Sequence, residues 1–138
     1  LYPFLTDFRC VWELNADEVA YEGIRYYSRW FDADGSRVDE VFAKLAYIDS
    51  ANFARLVTCP VLFGTGLDDP VVPPEAQFAA YNALTCPKRH LLYPGYAHEE
   101  IGDFDDKIID FFCSDKGEQA LEALDSSFPA QAEGEVKA

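Results

Sequence analysis

The sequence predicts an α/β fold in which helices flank a parallel sheet, and three observations support that prediction. Val61–Thr65 and Arg89–Tyr93 are short apolar runs typical of buried strands. Residues 74–84 lie between them and carry Phe78, Tyr81 and Leu84 at helical spacing, so these three are expected to face inward. The strands begin about thirty residues apart, the spacing of a right-handed strand–helix–strand unit with parallel strands.

The first 58 residues are predicted to be helical. Asn15 is a candidate N-cap for a helix with apolar residues at 20, 24, 27 and 31. Asp34-Gly35 would end that helix, and Ser36 with Asp39 resembles a capping box for the next one. That next helix would bury a stripe at 41, 42, 45 and 48, and a short helix is expected over 49–55.

A last helix is predicted after residue 98, because apolar residues at 101, 104, 108 and 111 form one stripe. The pattern then stops, so residues 1–113 are assigned to the folded domain and 114–138 to a polar acidic tail. Two or three parallel strands do not form a covered sheet alone. Further strands are therefore expected from an upstream segment or from another chain.

Composition limits the classes of function. The 138 residues carry a formal net charge of −14, which argues against nucleic acid or an anionic membrane as partner. No apolar run reaches the length of about eighteen residues that a membrane span needs, and no signal-peptide pattern opens the chain. A cytoplasmic protein is expected, and a start at Leu1 without any methionine suggests a piece of a longer protein.

The four cysteines, at positions 10, 59, 86 and 113, are widely spaced and include no C-x-x-C pair. No such pair is present to hold a metal, so we expect reduced structural thiols, with disulfides as the less favoured alternative.

Asp69 and His98 are the candidate catalytic residues, because each follows the carboxyl end of a predicted strand, where α/β sheets place their ligands. Their order matches the last two members of the Ser, Asp, His sequence of α/β-hydrolases. Asp69 is preferred over Asp68 because Val72 and Pro73 complete an Asp-x-x-Val-Pro turn after it. None of the six serines lies in a G-x-S-x-G motif, so the chain has an acid and a base without their nucleophile.

The side chains around Asp69 and His98 also allow other roles. A metal site is the rival use of six residues, but no ligand spacing of a known kind appears: Asp68, Asp69, His98, Glu99, Glu100 and Asp103. Glu99 either orients the turn or favours a helix N-terminus electrostatically, and we expect the second role. His90 lies inside a strand and is expected to be structural.

An aromatic group at positions 26, 27, 30 and 31 could stack on sugars, although packing in the core or at a subunit interface is the expected role.

Seven segments together resemble the acetyl xylan esterase / cephalosporin C deacetylase family, carbohydrate esterase family 7, in order from residue 1 to about 113. They are Pro3–Arg9, Tyr26–Phe31, Tyr47–Asp49, Gly64–Asp69, Pro73–Pro74, Gln77–Asn82 and Tyr93–Glu99. Leu67-x-Asp69 matches the family's Leu-x-Asp motif, and His98-Glu99 matches its His-Glu motif. Ala97 stands where the family has glycine, which raises the question of a positive φ before His98.

The resemblance implies an α/β-hydrolase fold of which this chain is the C-terminal portion. The family's Arg-Gly-Gln and Gly-x-Ser-Gln-Gly signatures would lie upstream of Leu1. It further implies serine-based deacetylation of xylooligosaccharides and cephalosporin C, no metal or other cofactor, a cytosolic location and a hexameric ring. Phe8 matches a position that, by resemblance, lines the acyl pocket beside the serine.

Two alternatives remain open from the sequence. The chain could belong to another α/β-hydrolase, such as a dienelactone hydrolase or a prolyl-oligopeptidase-like enzyme. It could also be a non-catalytic fragment that only associates with other subunits.

Overall fold

The structure, a computed structural model, describes residues 6–16 and 19–113. The predicted tail at 114–138 and the start of the first family-like segment lie outside the described residues. The described elements are α1 Phe8–Glu13, a 3-10 turn Val19–Tyr21, α2 Glu22–Phe31, α3 Val38–Leu45, α4 Ser50–Ala54, β1 Val61–Gly66, α5 Pro74–Ala83, β2 Lys88–Tyr93 and α6 Gly102–Cys113.

The two strands pair in parallel, which confirms the predicted strand–helix–strand unit. Val61 lies opposite Lys88 and Gly66 opposite Tyr93, so the strands end side by side. All six residues of β1 are buried, as expected of a strand covered on both faces. Within the described residues the sheet has these two strands.

Alternate residues of β1 pack on opposite faces of the sheet. Leu62 joins the cluster under α6, which includes Leu91 and Phe104. Val61 and Phe63 join a second cluster with residues of α4 and α5. This period of two is the one that strand geometry imposes on successive side chains.

The inward face of α5 differs from the predicted one. Ala76, Gln77 and Ala80 are its buried residues, whereas Phe78 and Tyr81 are half-buried. Leu84, just after the helix, is buried as predicted. Ala80 packs with Val61 and Phe63 of β1, and Ala76 packs with the cluster of Phe8 and Phe42. The rings of Phe78 and Tyr81 contact His90 of β2, Phe78 edge-on and Tyr81 at a tilt.

Two predicted helix starts are wrong. Asn15 has a positive φ of 54° just after α1, and α2 begins at Glu22. Asn tolerates this left-handed conformation better than most residues, so here it ends a helix instead of starting one. The capping box at Ser36 is also absent, because the Arg37 N–H donates to the carboxylate of Asp32.

The predicted short helix after Asp49 is present, with Asp49 as its N-cap. The Asp49 carboxylate accepts from the backbone N–H groups of Ala51, Asp7 and Phe8 at 2.9, 2.9 and 3.0 Å. This buried side chain therefore ties the start of α1 to the start of α4, across more than forty residues of sequence.

Large apolar side chains remain exposed on α2 and near the end of α3. They are Tyr26, Trp30, Phe31, Tyr47 and Ile48. The predicted stripe on α3 is therefore buried at Phe42 but not at Ile48. No helix among the described residues is long and apolar enough to cross a membrane.

We predict that Asp49→Ala lowers the free energy of unfolding by about 2–3 kcal/mol, because it removes a cap and leaves buried N–H groups without an acceptor. Urea denaturation measures the change. Asp39→Ala is the matched control, since Asp39 makes an exposed ion pair with Arg9 worth at most about 1 kcal/mol. Equal losses in the two variants would contradict the tying role of Asp49.

Candidate active site

The site forms where β1 and β2 end and their following loops meet. The Leu67 N–H donates to the Tyr93 carbonyl at 3.1 Å, and the Asp68 N–H donates to the Tyr96 carbonyl at 3.0 Å. A Cβ atom at Gly66 would lie 2.7 Å from the Tyr96 oxygen. Glycine at position 66 therefore lets the loop that precedes His98 approach the end of β1.

Asp69 is fixed in a tight turn before α5. Its Oδ1 accepts from the N–H groups of Val71 and Val72, both at 2.9 Å. An Asp side chain that bonds its own backbone two or three residues on is a common way to close such a turn. Pro73 and Pro74 follow, and Pro74 occupies the first turn of α5, where a missing N–H costs nothing.

The second oxygen of Asp69 faces the histidine. His98 Nδ1 lies 3.0 Å from Asp69 Oδ2, and the Asp69 side chain is only 9% exposed. Because an ionised carboxylate only accepts hydrogen bonds, this contact places the proton of a neutral His98 on Nδ1 and leaves Nε2 with a lone pair. The His98 side chain is 54% exposed, so Nε2 belongs to an accessible ring.

The loop that carries His98 differs in two details from the prediction. His98 lies in a bend and does not open a helix, since α6 begins at Gly102. Glu99 orients this bend, because its Oε1 accepts from the Ala97 N–H at 3.1 Å, whereas the helix-end role was expected. Ala97 is not among the residues with positive φ, so its substitution for glycine does not strain the backbone.

Asp68 and Asp103 are not part of the contact with His98. Asp68 is exposed and joins the loop through its backbone. Asp103 pairs with Lys107 and accepts from the Tyr93 hydroxyl at 3.0 Å, and these interactions, the one with Lys107 first, lower the pKa of its carboxyl. Among the residues that the structure describes, no three His, Cys, Asp or Glu side chains are grouped to hold a metal ion.

A cavity of about 410 Å³ opens beside the Asp69–His98 pair. Its described lining combines the end of β1 and the loops after both strands with the start of α5 and the approach to α6. Among the lining residues are Gly66, Asp69, Val72, Gln77, His98 and Ile101.

Phe8 is not among the residues lining that cavity. It is buried in a separate cluster with Val11, Tyr21 and Phe42. This cluster borders the site through Tyr21, whose pKa is raised by burial and then by the nearby negative charge of Asp69. The role of Phe8 in an acyl pocket stays a prediction.

His90 is packed among aromatic rings. Its ring centroid lies 4.3 Å from that of Tyr81, 5.0 Å from that of Phe63 and 5.1 Å from that of Phe78. Burial, followed by the positive charge of Lys88, lowers the pKa of His90 to about 4. The four cysteines, all within the described ranges, are free thiols, and burial raises the pKa of Cys10.

Sequence reasoning missed one polar feature of the site, a buried chain of hydrogen bonds through Thr65 and Gln77. In the sequence, Gln77 shares one helical face with the apolar or small residues at 73, 76, 80 and 84. The structure buries that face, so a polar side chain on it needs a hydrogen-bond partner.

The sequence profile described as Acetyl xylan esterase (AXE1) matches residues 1–115. The chain belongs to the acetyl xylan esterase family. Acetyl esterase Axe7A of Xylanibacter ruminicola is 43% identical over 54 residues, which are 39% of this chain and 12% of that protein.

Two solved structures from the same family share the fold. Acetyl xylan esterase 1 from Thermoanaerobacterium sp. matches with a TM-score of 0.77 and 43% identity, over 79% of this chain and 34% of that one. Acetyl xylan esterase from Paenibacillus sp. R4 matches with a TM-score of 0.75 and 33% identity, with the same coverage. The chain thus has part of an α/β-hydrolase fold and spans about a third of the length of these solved relatives.

We predict that Gly66→Ala lowers the free energy of unfolding by about 1–3 kcal/mol, because the added methyl group forces the backbone at Tyr96 away from β1. Gly102→Ala is the matched control, since a Cβ there meets nothing within 4 Å. Urea denaturation of both variants measures the effect. A loss at position 102 as large as that at 66 would show that the close approach is not the cause.

The depressed pKa of His90 predicts that stability falls as the pH is lowered from about 6.5 to about 4. In that interval the unfolded chain binds a proton on this residue and the native chain does not, so protonation favours unfolding. Urea denaturation at several pH values measures the slope, which His90→Phe should make shallower. An unchanged slope in His90→Phe would contradict the prediction, whatever that variant's absolute stability.

Proposed function

We propose that this chain supplies the general base and the acid of a serine acetyl esterase, with the nucleophile supplied by a segment upstream of Leu1. The single observation that carries the proposal is the 3.0 Å contact between His98 Nδ1 and Asp69 Oδ2 at the adjacent ends of two parallel strands. Family membership supports esterase chemistry, and the short coverage of the solved relatives leaves room for the missing parts.

The geometry suits acyl transfer in two half-reactions. In the first half-reaction, the serine oxygen attacks the acetyl carbonyl while His98 Nε2 takes the proton of the serine hydroxyl. Asp69 stabilises the imidazolium that forms. His98 then gives that proton to the leaving alcohol oxygen, which leaves an acetyl-serine ester. In the second, water attacks that ester with the same proton transfers and releases acetate.

The proposed substrates are acetylated xylooligosaccharides and acetylated small molecules such as cephalosporin C. The resemblance and the printed names of the relatives support the first, and the resemblance alone supports the second. The same resemblance underlies our proposals of a homo-oligomer, up to a hexamer, and of a cytoplasmic location. Exposed aromatic side chains on α2 agree with a surface that is covered in the complete protein.

We predict that His98→Ala in the protein extended upstream lowers kcat for p-nitrophenyl acetate by about a millionfold, because the serine loses its base. Asp69→Asn should cost about ten-thousandfold, since the wrong histidine tautomer is then favoured. Steady-state kinetics measure both. Asp68→Asn is the matched control and should stay near wild type, because the Asp68 side chain is exposed and only its backbone joins the loop.

The isolated chain of 138 residues should hydrolyse the same ester no faster than free imidazole, since it has neither the nucleophile nor its oxyanion donors. Ready turnover by the isolated chain that survives His98→Ala would mean that the site is misassigned. An upstream segment without a Gly-x-Ser-Gln-Gly motif would favour a different α/β-hydrolase activity.

A further inference from the structure

A buried chain of hydrogen bonds runs from β2, through β1 and α5, to the turn that holds Asp69. His90 Nε2 lies 2.8 Å from Thr65 Oγ1, and Thr65 Oγ1 lies 3.0 Å from Gln77 Oε1. Gln77 Nε2 donates to the Val72 carbonyl at 2.7 Å. Val72 is also one of the two residues whose N–H groups bind Asp69 Oδ1.

The direction of every bond in this chain is determined by chemistry. A carbonyl only accepts, so the Gln77 amide must turn its NH₂ group toward Val72 and its oxygen toward Thr65. That oxygen takes the hydroxyl proton of Thr65, and the Thr65 oxygen is then free to accept. A neutral His90 must therefore carry its proton on Nε2 and donate it to Thr65.

The two central members of the chain are buried, where an unpaired polar group is costly. Thr65 is fully buried and Gln77 is 2% exposed. Removing one partner would leave a buried polar group of the others without its hydrogen bond. Such networks hold a single arrangement, because any other rotamer breaks several bonds together.

We propose that Gln77 and Thr65 are positioning residues, which hold the Val71–Val72 turn so that Asp69 Oδ2 faces His98. The inference rests on the proposed esterase function. Within the described residues, the hydrogen bond found for the half-exposed His98 ring is the one to Asp69. The orientation of that ring therefore depends on how firmly Asp69 is held. The rigidity of the pair therefore comes from the Asp69 side and from the helix behind it.

Paired substitutions at Thr65 separate hydrogen bonding from packing. Thr65→Val keeps the shape and removes the hydroxyl, whereas Thr65→Ser keeps the hydroxyl and removes a methyl group. In the protein extended upstream, Thr65→Val is expected to lower kcat roughly ten- to a hundredfold with little change in KM, the cost of a slightly misplaced catalytic group. Thr65→Ser is expected to recover most of that loss.

Gln77→Leu tests the link to the turn itself. It removes both bonds of the amide at similar volume and should show the same loss in kcat with KM retained. Asn82→Leu is the matched control, because Asn82 lies on the exposed face of the same helix and should leave kinetics unchanged. Thermal melts of each variant, with assays run well below the lowest midpoint, separate a kinetic effect from unfolding.

The outcomes distinguish this inference from the function on which it rests. Wild-type activity that His98→Ala does not reduce would reject the proposed function. Wild-type activity that His98→Ala abolishes, but that Thr65→Val and Gln77→Leu leave intact, would reject the positioning role alone. A Thr65→Ser variant that is more impaired than Thr65→Val would show that position 65 acts through packing, and would also reject it.

Discussion

The parallel pairing of β1 with β2 is the constraint on which the candidate site depends. The register brings Gly66 opposite Tyr93, so the two loops leave the sheet at the same edge and at the same height. Asp69 and His98, which are 29 residues apart in sequence, then need only a tight turn on one side and a short bend on the other to meet. A register shift of one residue would reverse the faces of β1, and its bulky side chains would meet the wrong helices.

The two histidines show how surroundings assign different roles to the same side chain. His90 packs against three aromatic rings, and its Nε2 contacts Thr65. Burial, followed by the positive charge of Lys88, lowers its pKa to about 4 and favours the neutral ring. His98 is half-exposed and is held through Nδ1 by a nearly buried carboxylate. Only the second arrangement leaves a ring nitrogen available for proton transfer beside a cavity.

The described residues leave much apolar surface uncovered beside a small sheet. The described sheet buries every residue of β1 but has only two strands, while α2 leaves Tyr26, Trp30 and Phe31 exposed. A parallel sheet with so few strands and so much apolar surface beside it is not a typical independent domain. The chain matches about a third of each of these two solved relatives. A part of a larger sheet, taken by itself, is expected to expose apolar surface of this kind.

The sequence by itself determined the strand–helix–strand unit and the choice of Asp69 and His98 as the candidate pair, because each depends on local features: short apolar runs, helical periodicity between them, and polar residues directly after the strands. It did not determine where α2 begins or which face of α5 is buried. Asn is suited both to a helix N-cap and to a left-handed turn, so the pattern around Asn15 did not decide between them. The buried face of α5 is set by packing on two sides, since Ala80 packs on β1 and Ala76 on the cluster that contains Phe8. The Thr65–Gln77–Val72 chain was also decided by tertiary structure, since its hydrogen bonds join three elements whose facing sides are set only when the sheet and helix pack.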